Sequence, residues 1–285
     1  MSLCSSFSDN YLRRQMILQE TYTLSNGVRI PKVGLGTWLI PDDKVIQASS
    51  EAIAAGYRHI DTAQAYENEE GVGKAVRACG LPREELFLTT KVAAEIKSYE
   101  GAAASIDESL RKLDAGHIDL LLVHCPQPWA EFRGVKRYFA ENKQVWRALE
   151  DAYIAGKVRA IGVSYFLTDD LENILEDCRI KPMVNQFKVH IGETPLPLIG
   201  FCEEHGILVE AYSPIAHGSA LKSEVIGKMA AAYGVTVPQL CIRYTLQLGA
   251  VSLPKSSDPG HIRSNASLDF VIKDEDMEFL KTVAG

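Results

Sequence analysis

The feature that most constrains this chain is an alternation of eight short apolar runs with longer stretches of helical spacing. The runs are VGLGT (33–37), YRHID (57–61), LFLTTK (86–91), IDLLLVH (118–124), VRAIGVS (158–164), PMVNQ (182–186), ILVEAYS (207–213) and AVSLPKS (250–256). Between and after them lie helical stretches such as 43–55, 68–79, 102–113, 143–154, 169–177, 196–205, 224–233 and 274–281. Gly56, Gly80, Gly156, Gly206 and Gly234 stand where helices would end in the left-handed conformation. A strand-then-helix repeat implies parallel strands with right-handed crossovers, and eight such units close into a (β/α)8 TIM barrel. The rival is an open doubly wound sheet. That fold usually carries G-x-G-x-x-G after a strand, and no such motif occurs here.

Ahead of the alternation, Asn26-Gly27 sits between two short runs in TYTLSNGVRIPKV, the pattern of a two-residue hairpin turn. The expected architecture is therefore an α/β barrel with an N-terminal β-hairpin. Residues 1–20 form a polar lead in which disorder is left open, and residues 21–285 a single barrel domain. A length of 285 residues accommodates a barrel of about 250.

Composition narrows the function classes. A net charge of −7 and a pI near 5.6 argue against a sequence-independent nucleic-acid binder, which needs a basic face. No apolar run approaches the roughly 18 residues of a membrane span, and the first residues lack the apolar core of a signal peptide. The six cysteines, Cys4, Cys79, Cys125, Cys178, Cys202 and Cys241, show no CxxC pairing, as expected of free thiols in a reducing cytoplasm. His190, His205 and His217 lack metal-ligand spacing, so no metal site is expected.

Barrel active sites lie at the C-terminal ends of the strands, and the chemistry-bearing residues recur there. Asp61, Lys91 and His124 close successive runs, Tyr66 follows Asp61 by five residues, and Asn68 offers an N-cap to the next helix. Ser164, Gln186, Tyr212, Ser213, Lys255 and Ser256 close the later runs. Each alone reads as a solvated or structural polar group; their common location gives the set its weight. A free tyrosine titrates near 10, too high for easy proton exchange at neutrality, and an adjacent ammonium stabilises its phenolate. An aspartate can hold that ammonium in place, and a neutral histidine can orient a carbonyl oxygen. The hydride must come from a cofactor.

These residues stand in segments that strongly resemble the aldo-keto reductase family. GYRHIDTAQAYENEEGVGKAV (56–76) is similar to the family signature around its aspartate and tyrosine, and LRKLDAGHIDLLLVHCP (110–126) to the segment carrying its histidine. GKVRAIGVSYF (156–166), KPMVNQ (181–186), VEAYSP (209–214) and LPKS (253–256) match in order, over about residues 28–270. The resemblance implies NADP(H)-dependent reduction of aldehydes or ketones, with Tyr66, Lys91, Asp61 and His124 as the catalytic set. It implies that Lys91 lowers the pKa of Tyr66. It places Thr37 and Asp61 by the nicotinamide ribose, Ser164 and Gln186 on the carboxamide, and Tyr212 on the nicotinamide ring. Ser213 would face the pyrophosphate, Lys255 and Ser256 the 2′-phosphate, and Asn265 the adenine. Trp38 and Trp129 would be substrate-pocket walls, or equally rim packing. It further implies a cytoplasmic monomer acting on a small carbonyl substrate, resembling small bacterial members that reduce sugar-derived ketones, dicarbonyls and aromatic aldehydes.

Four departures qualify the match. Tyr165 stands where the family usually has an asparagine that shares the carboxamide contact. His261 replaces an arginine that grips the 2′-phosphate, so the preference for NADPH over NAD(H) is expected to be weaker, with Arg263 near enough to compensate. Cys125 replaces a frequent tryptophan. The chain also stops at Gly285, from which a more open, less selective site is expected. Lys188 replaces a common acidic residue and reads as structural or solvated. A non-enzymatic barrel of the same family is disfavoured by the presence of both Tyr66 and Lys91. A metal-dependent hydrolase fails on ligand count, with only His124 and Asp61 at strand ends.

Overall fold

The computed structural model describes residues 16–283. Strands β1 (Thr21–Thr23) and β2 (Arg29–Pro31) pair antiparallel as the expected hairpin. Leu24 N donates to Val28 O, however, so residues 25–27 make a three-residue loop rather than the expected two-residue turn, with Gly27 at φ +87°. Asn26 fixes that turn by accepting from Val28 N at 3.1 Å. The end of the polar lead forms a helical turn, Met16–Gln19, that buries Ile17 and Leu18 in the core. Residues 1–15, with Cys4, lie outside the described residues.

Eight parallel strands follow: β3 (Leu35–Gly36), β4 (His59–Asp61), β5 (Phe87–Val92), β6 (Ile118–Val123), β7 (Val158–Ser164), β8 (Val184–Lys188), β9 (Leu208–Tyr212) and β10 (Val251–Leu253). Each hydrogen-bonds to its sequence neighbours. Parallel bridges Val33–Ser252 and Gly36–Lys255 bring the first strand to the last and close the barrel. Helices α1 (Asp42–Ala54), α2 (Glu69–Ala78), α3 (Tyr99–Leu113), α4 (Phe139–Ile154), α5 (Thr168–Leu175) and α6 (Leu196–Glu204) follow strands β3 to β8 in turn. After β9 come α7 (Glu224–Ala232) and α8 (Val237–Gln247), and after β10 come α9 (Pro259–Asn265) and α10 (Asp274–Thr282).

The central strands are buried on both faces, as a parallel sheet wrapped in helices requires. All five glycines expected to end helices have positive φ, from +67° at Gly234 to +102° at Gly56. Gly34 is needed for a different reason, since a Cβ there would lie 2.7 Å from His59 Nδ1 inside the barrel. No single described helix is long and apolar enough to cross a membrane.

Candidate active site

The barrel brings Asp61, Lys91 and His124 to one mouth from three neighbouring strands. Asp61 ends β4, Lys91 stands one residue before the end of β5, and His124 directly follows β6. Tyr66 is carried on a short 3-10 turn, Gln64–Tyr66. The side chain of Gln64, which no motif marks, holds that turn. Gln64 donates from Nε2 to Ser105 O (3.0 Å) and Ser109 Oγ (2.9 Å), and its Oε1 accepts from Ala93 N (2.8 Å). Asn68 stands at the N-cap of α2, but its side chain makes no cap hydrogen bond. It donates instead to Thr37 O (3.0 Å) and Ile40 O (2.8 Å) and accepts from Thr62 Oγ1 (2.6 Å), tying the loops after β3 and β4 together.

At the centre, Lys91 Nζ donates to Asp61 Oδ1 at 2.6 Å and to Thr62 O at 2.9 Å, with the Tyr66 hydroxyl at 3.4 Å. Lys91 is fully buried, so its charge is compensated by Asp61 and not by water. The expected lowering of the Tyr66 pKa is not seen in this geometry. Burial, reinforced by the Asp61 charge and by Tyr165, holds the phenol well above its ordinary value. The reason is burial of the phenol, which outweighs the ammonium 3.4 Å away. Tyr66 is therefore neutral and carries its proton, the form an acid requires. His124 is pushed well below its ordinary value by burial and by Lys91, and is neutral. Its Nδ1 is enclosed without a partner among the described residues, which leaves Nε2 as the nitrogen toward the mouth. The ring packs edge-on against Tyr66 (5.5 Å) and Trp129 (5.1 Å).

A cleft of about 1360 Å³ opens over these groups, lined by Asp61, Tyr66 and His124 at one end and by Lys255, Ser256, His261 and Asn265 at the other. Small-molecule pockets are commonly about 300–1,000 Å³, so this one has room for a dinucleotide beside a small substrate. Gln186, Tyr212, Ser213, Trp38 and Trp129 also line it. Thr37, Ser164 and Arg263 do not. Thr37 Oγ1 donates to Asp61 O at 2.8 Å, and Ser164 Oγ to Gln186 O at 2.8 Å, so both hydroxyls brace the strand ends from behind. Arg263 turns away to Glu51 on α1, 3.3 Å distant. His261 is exposed near Asp258 (4.0 Å), leaving Lys255 as the permanent cation at that end of the cleft. Lys188 pairs with Glu193 at 2.8 Å, and both line the cleft.

Two features of the site were not anticipated. Tyr165 adopts the left-handed conformation (φ +61°) and lays its ring over Tyr212, centroids 5.0 Å apart at 33°. It also meets Trp129 (5.2 Å) and Phe132 (5.4 Å) edge-on, building an aromatic wall on the substrate side. Second, Glu210 on β9 is fully buried beneath Gln186. The signal was present, since a lone acid inside the apolar run ILVEAYS must find a partner or lose its charge.

Barrel and mouth together define a class of oxidoreductase, and the chain belongs to it: the model of the Aldo/keto reductase family matches residues 32–284. Members of that family use nicotinamide cofactors. Among its relatives, the chain is 41% identical over 263 residues to a glyoxal reductase of Bacillus subtilis, covering 92% of this chain and 91% of that one. It is 39% identical to 2,5-diketo-D-gluconic acid reductase B of a Corynebacterium species, covering 87% of each. Among solved structures it resembles the Bombyx mori aldo-keto reductase in complex with NADP, with a TM-score of 0.83, 33% identity and 92% coverage of each chain.

Proposed function

We propose that the protein reduces small aldehydes and ketones to alcohols with NADP(H), and that Tyr66 supplies the proton. The observation that carries this reading is the neutral Tyr66 hydroxyl on the cleft, within 3.4 Å of an Asp61-paired ammonium buried behind it. NADPH, when bound, supplies the hydride to the carbonyl carbon. The chain's own part is proton transfer and orientation.

His124 donates a hydrogen bond to the substrate oxygen and sets it beside Tyr66. As charge develops on that oxygen, the phenol gives up its proton and the alcohol forms. Lys91 stabilises the phenolate left behind, and Asp61 keeps Lys91 charged and in place. In the reverse direction the phenolate is the base. Trp129, Phe132 and Trp38 cover the apolar part of the substrate and limit access of water.

The residues present fit a nicotinamide dinucleotide. Gln186 Oε1 is an open acceptor on the cleft wall, Tyr212 has a ring face that Tyr165 partly covers, and Ser213, Ser256, Lys255, His261 and Asn265 line the cleft toward the far end. With His261 for arginine, NAD(H) serves as well, less efficiently. The relatives named for glyoxal and for 2,5-diketo-D-gluconic acid favour dicarbonyls and sugar-derived ketones as substrates. The test is a panel of glyoxal, methylglyoxal, a diketo sugar acid and an aromatic aldehyde, assayed by consumption of NADPH and of NADH. Turnover of carbonyls with NADPH supports the reading, and no turnover of any with either cofactor overturns it.

A further inference from the structure

Glu210 takes no part in the proton transfer described above, yet it is fully enclosed inside the barrel and bonded to a residue of the cofactor wall. Its Oε2 lies 2.9 Å from Gln186 Nε2, and the same nitrogen lies 2.8 Å from Asp61 Oδ2. A primary amide has two N–H groups, and here two carboxyl groups take one each. Turning it over would set Gln186 Oε1 against Oδ2 of the Lys91-paired Asp61 carboxylate, so Asp61 fixes which way the amide faces. Oε1 is thereby directed at the cleft, and no donor among the described residues reaches it.

The groups around Glu210 agree with a role as acceptor. From β4 it faces His59 and Asp61, from β5 Lys91, and from β8 Gln186. His59 Nε2 is 3.9 Å from Glu210 Oε1 and is already bonded to Thr89 Oγ1 at 2.9 Å. Lys91 is held by Asp61. Burial and the Asp61 charge push the Glu210 carboxyl up to about 8, so near neutrality it accepts through a carbonyl oxygen without adding a second negative charge. The Lys91–Asp61 balance under Tyr66 is left undisturbed.

We propose that Glu210 is a positioning residue, which together with Asp61 pins the Gln186 amide so that Oε1 is presented to the cleft as an acceptor for the carboxamide N–H of the nicotinamide. This rests on the reading above that the nicotinamide lies at Gln186. Asp61 alone engages one N–H of that amide and leaves the other free to swing; Glu210 removes the freedom.

The experiment compares the Kd of NADPH with that of reduced 3-acetylpyridine adenine dinucleotide phosphate, in which a methyl group replaces the carboxamide NH2. Binding is read by quenching of protein fluorescence in the wild type, Glu210→Gln and Glu210→Leu. Glu210→Met replaces the leucine variant if that one does not fold. One neutral hydrogen bond corresponds to about fivefold in affinity, so the wild type should prefer NADPH over the analogue by about that factor. Glu210→Gln, which still offers an acceptor oxygen, should keep the preference, and Glu210→Leu should lose it. A wild type that binds both cofactors equally removes the carboxamide from Gln186 and takes the proposal with it. A normal wild-type preference that survives in Glu210→Leu overturns the role of Glu210 alone, as does equal loss in the glutamine and leucine variants.

Discussion

Lys91 Nζ and Asp61 Oδ1 lie 2.6 Å apart with almost no exposure of either side chain, so each is the other's principal charge compensation. Removing one partner of such a pair strands a buried charge, at about 3–5 kcal/mol. Lys91→Met should therefore lower unfolding stability by that order, and Lys91→Met combined with Asp61→Asn should recover part of the loss. Urea unfolding of the two variants measures this. A Lys91→Met protein as stable as wild type would mean that the pair is not charged as described.

The cover of Tyr212 by Tyr165 has a consequence for cofactor binding. The two rings lie tilted by 33° with centroids 5.0 Å apart, so Tyr165 crowds the ring on which the nicotinamide is proposed to lie. Tyr165 must therefore be displaced when the nicotinamide arrives. Replacing it with the smaller asparagine removes that displacement and adds amide hydrogen bonding. Tyr165→Asn should bind NADPH about tenfold tighter, an effect of about 1.4 kcal/mol. Unchanged or weaker binding by fluorescence titration would show that Tyr165 does not obstruct the site.

At the end of the cleft proposed for the adenosine, Arg263 turns toward Glu51 and His261 is exposed, so no arginine stands at the position proposed to face a 2′-phosphate. Introducing a bidentate donor with His261→Arg should raise the ratio of kcat/KM for NADPH over NADH about tenfold. The wild-type ratio should itself fall below about a hundredfold, which is roughly 2.7 kcal/mol of discrimination. Steady-state kinetics with both cofactors decide both statements.

Inside the barrel, burial pushes His59 down to about 3. The folded-state value lies below the unfolded value near 6.5, so the unfolded chain binds more protons between these limits. Stability from this group is present above about pH 6.5 and is lost as pH falls toward 3. Relative to His59→Gln, the wild type should lose about 2 kcal/mol between pH 7 and pH 5. A constant difference between the two proteins across that range would contradict a neutral, enclosed His59.

Most of the fold was legible because its signals are local. Eight apolar runs mark the eight barrel strands, with ends shifted by up to a few residues, and the terminating glycines mark the helix ends. Helix α8 went unread although its start carries Thr236 and Gln239 in a reciprocal cap with Pro238 in the first turn. At the site, strand-end position was enough to gather Asp61, Lys91 and His124. Side-chain direction was not legible: Thr37, Ser164 and Arg263 share the right strand ends or helix but turn away from the cleft. Nor was the outcome at Tyr66, where burial of the phenol outweighs the ammonium 3.4 Å away.

The central claim is that Tyr66 gives its proton to the carbonyl oxygen, and Tyr66→Phe tests it most directly. General acid catalysis of this kind contributes about 10²–10⁴ in rate. The account predicts that Tyr66→Phe binds NADPH as the wild type does and loses at least a hundredfold in single-turnover reduction of a carbonyl the wild type accepts. A Tyr66→Phe protein that reduces that carbonyl at near wild-type rate would contradict it.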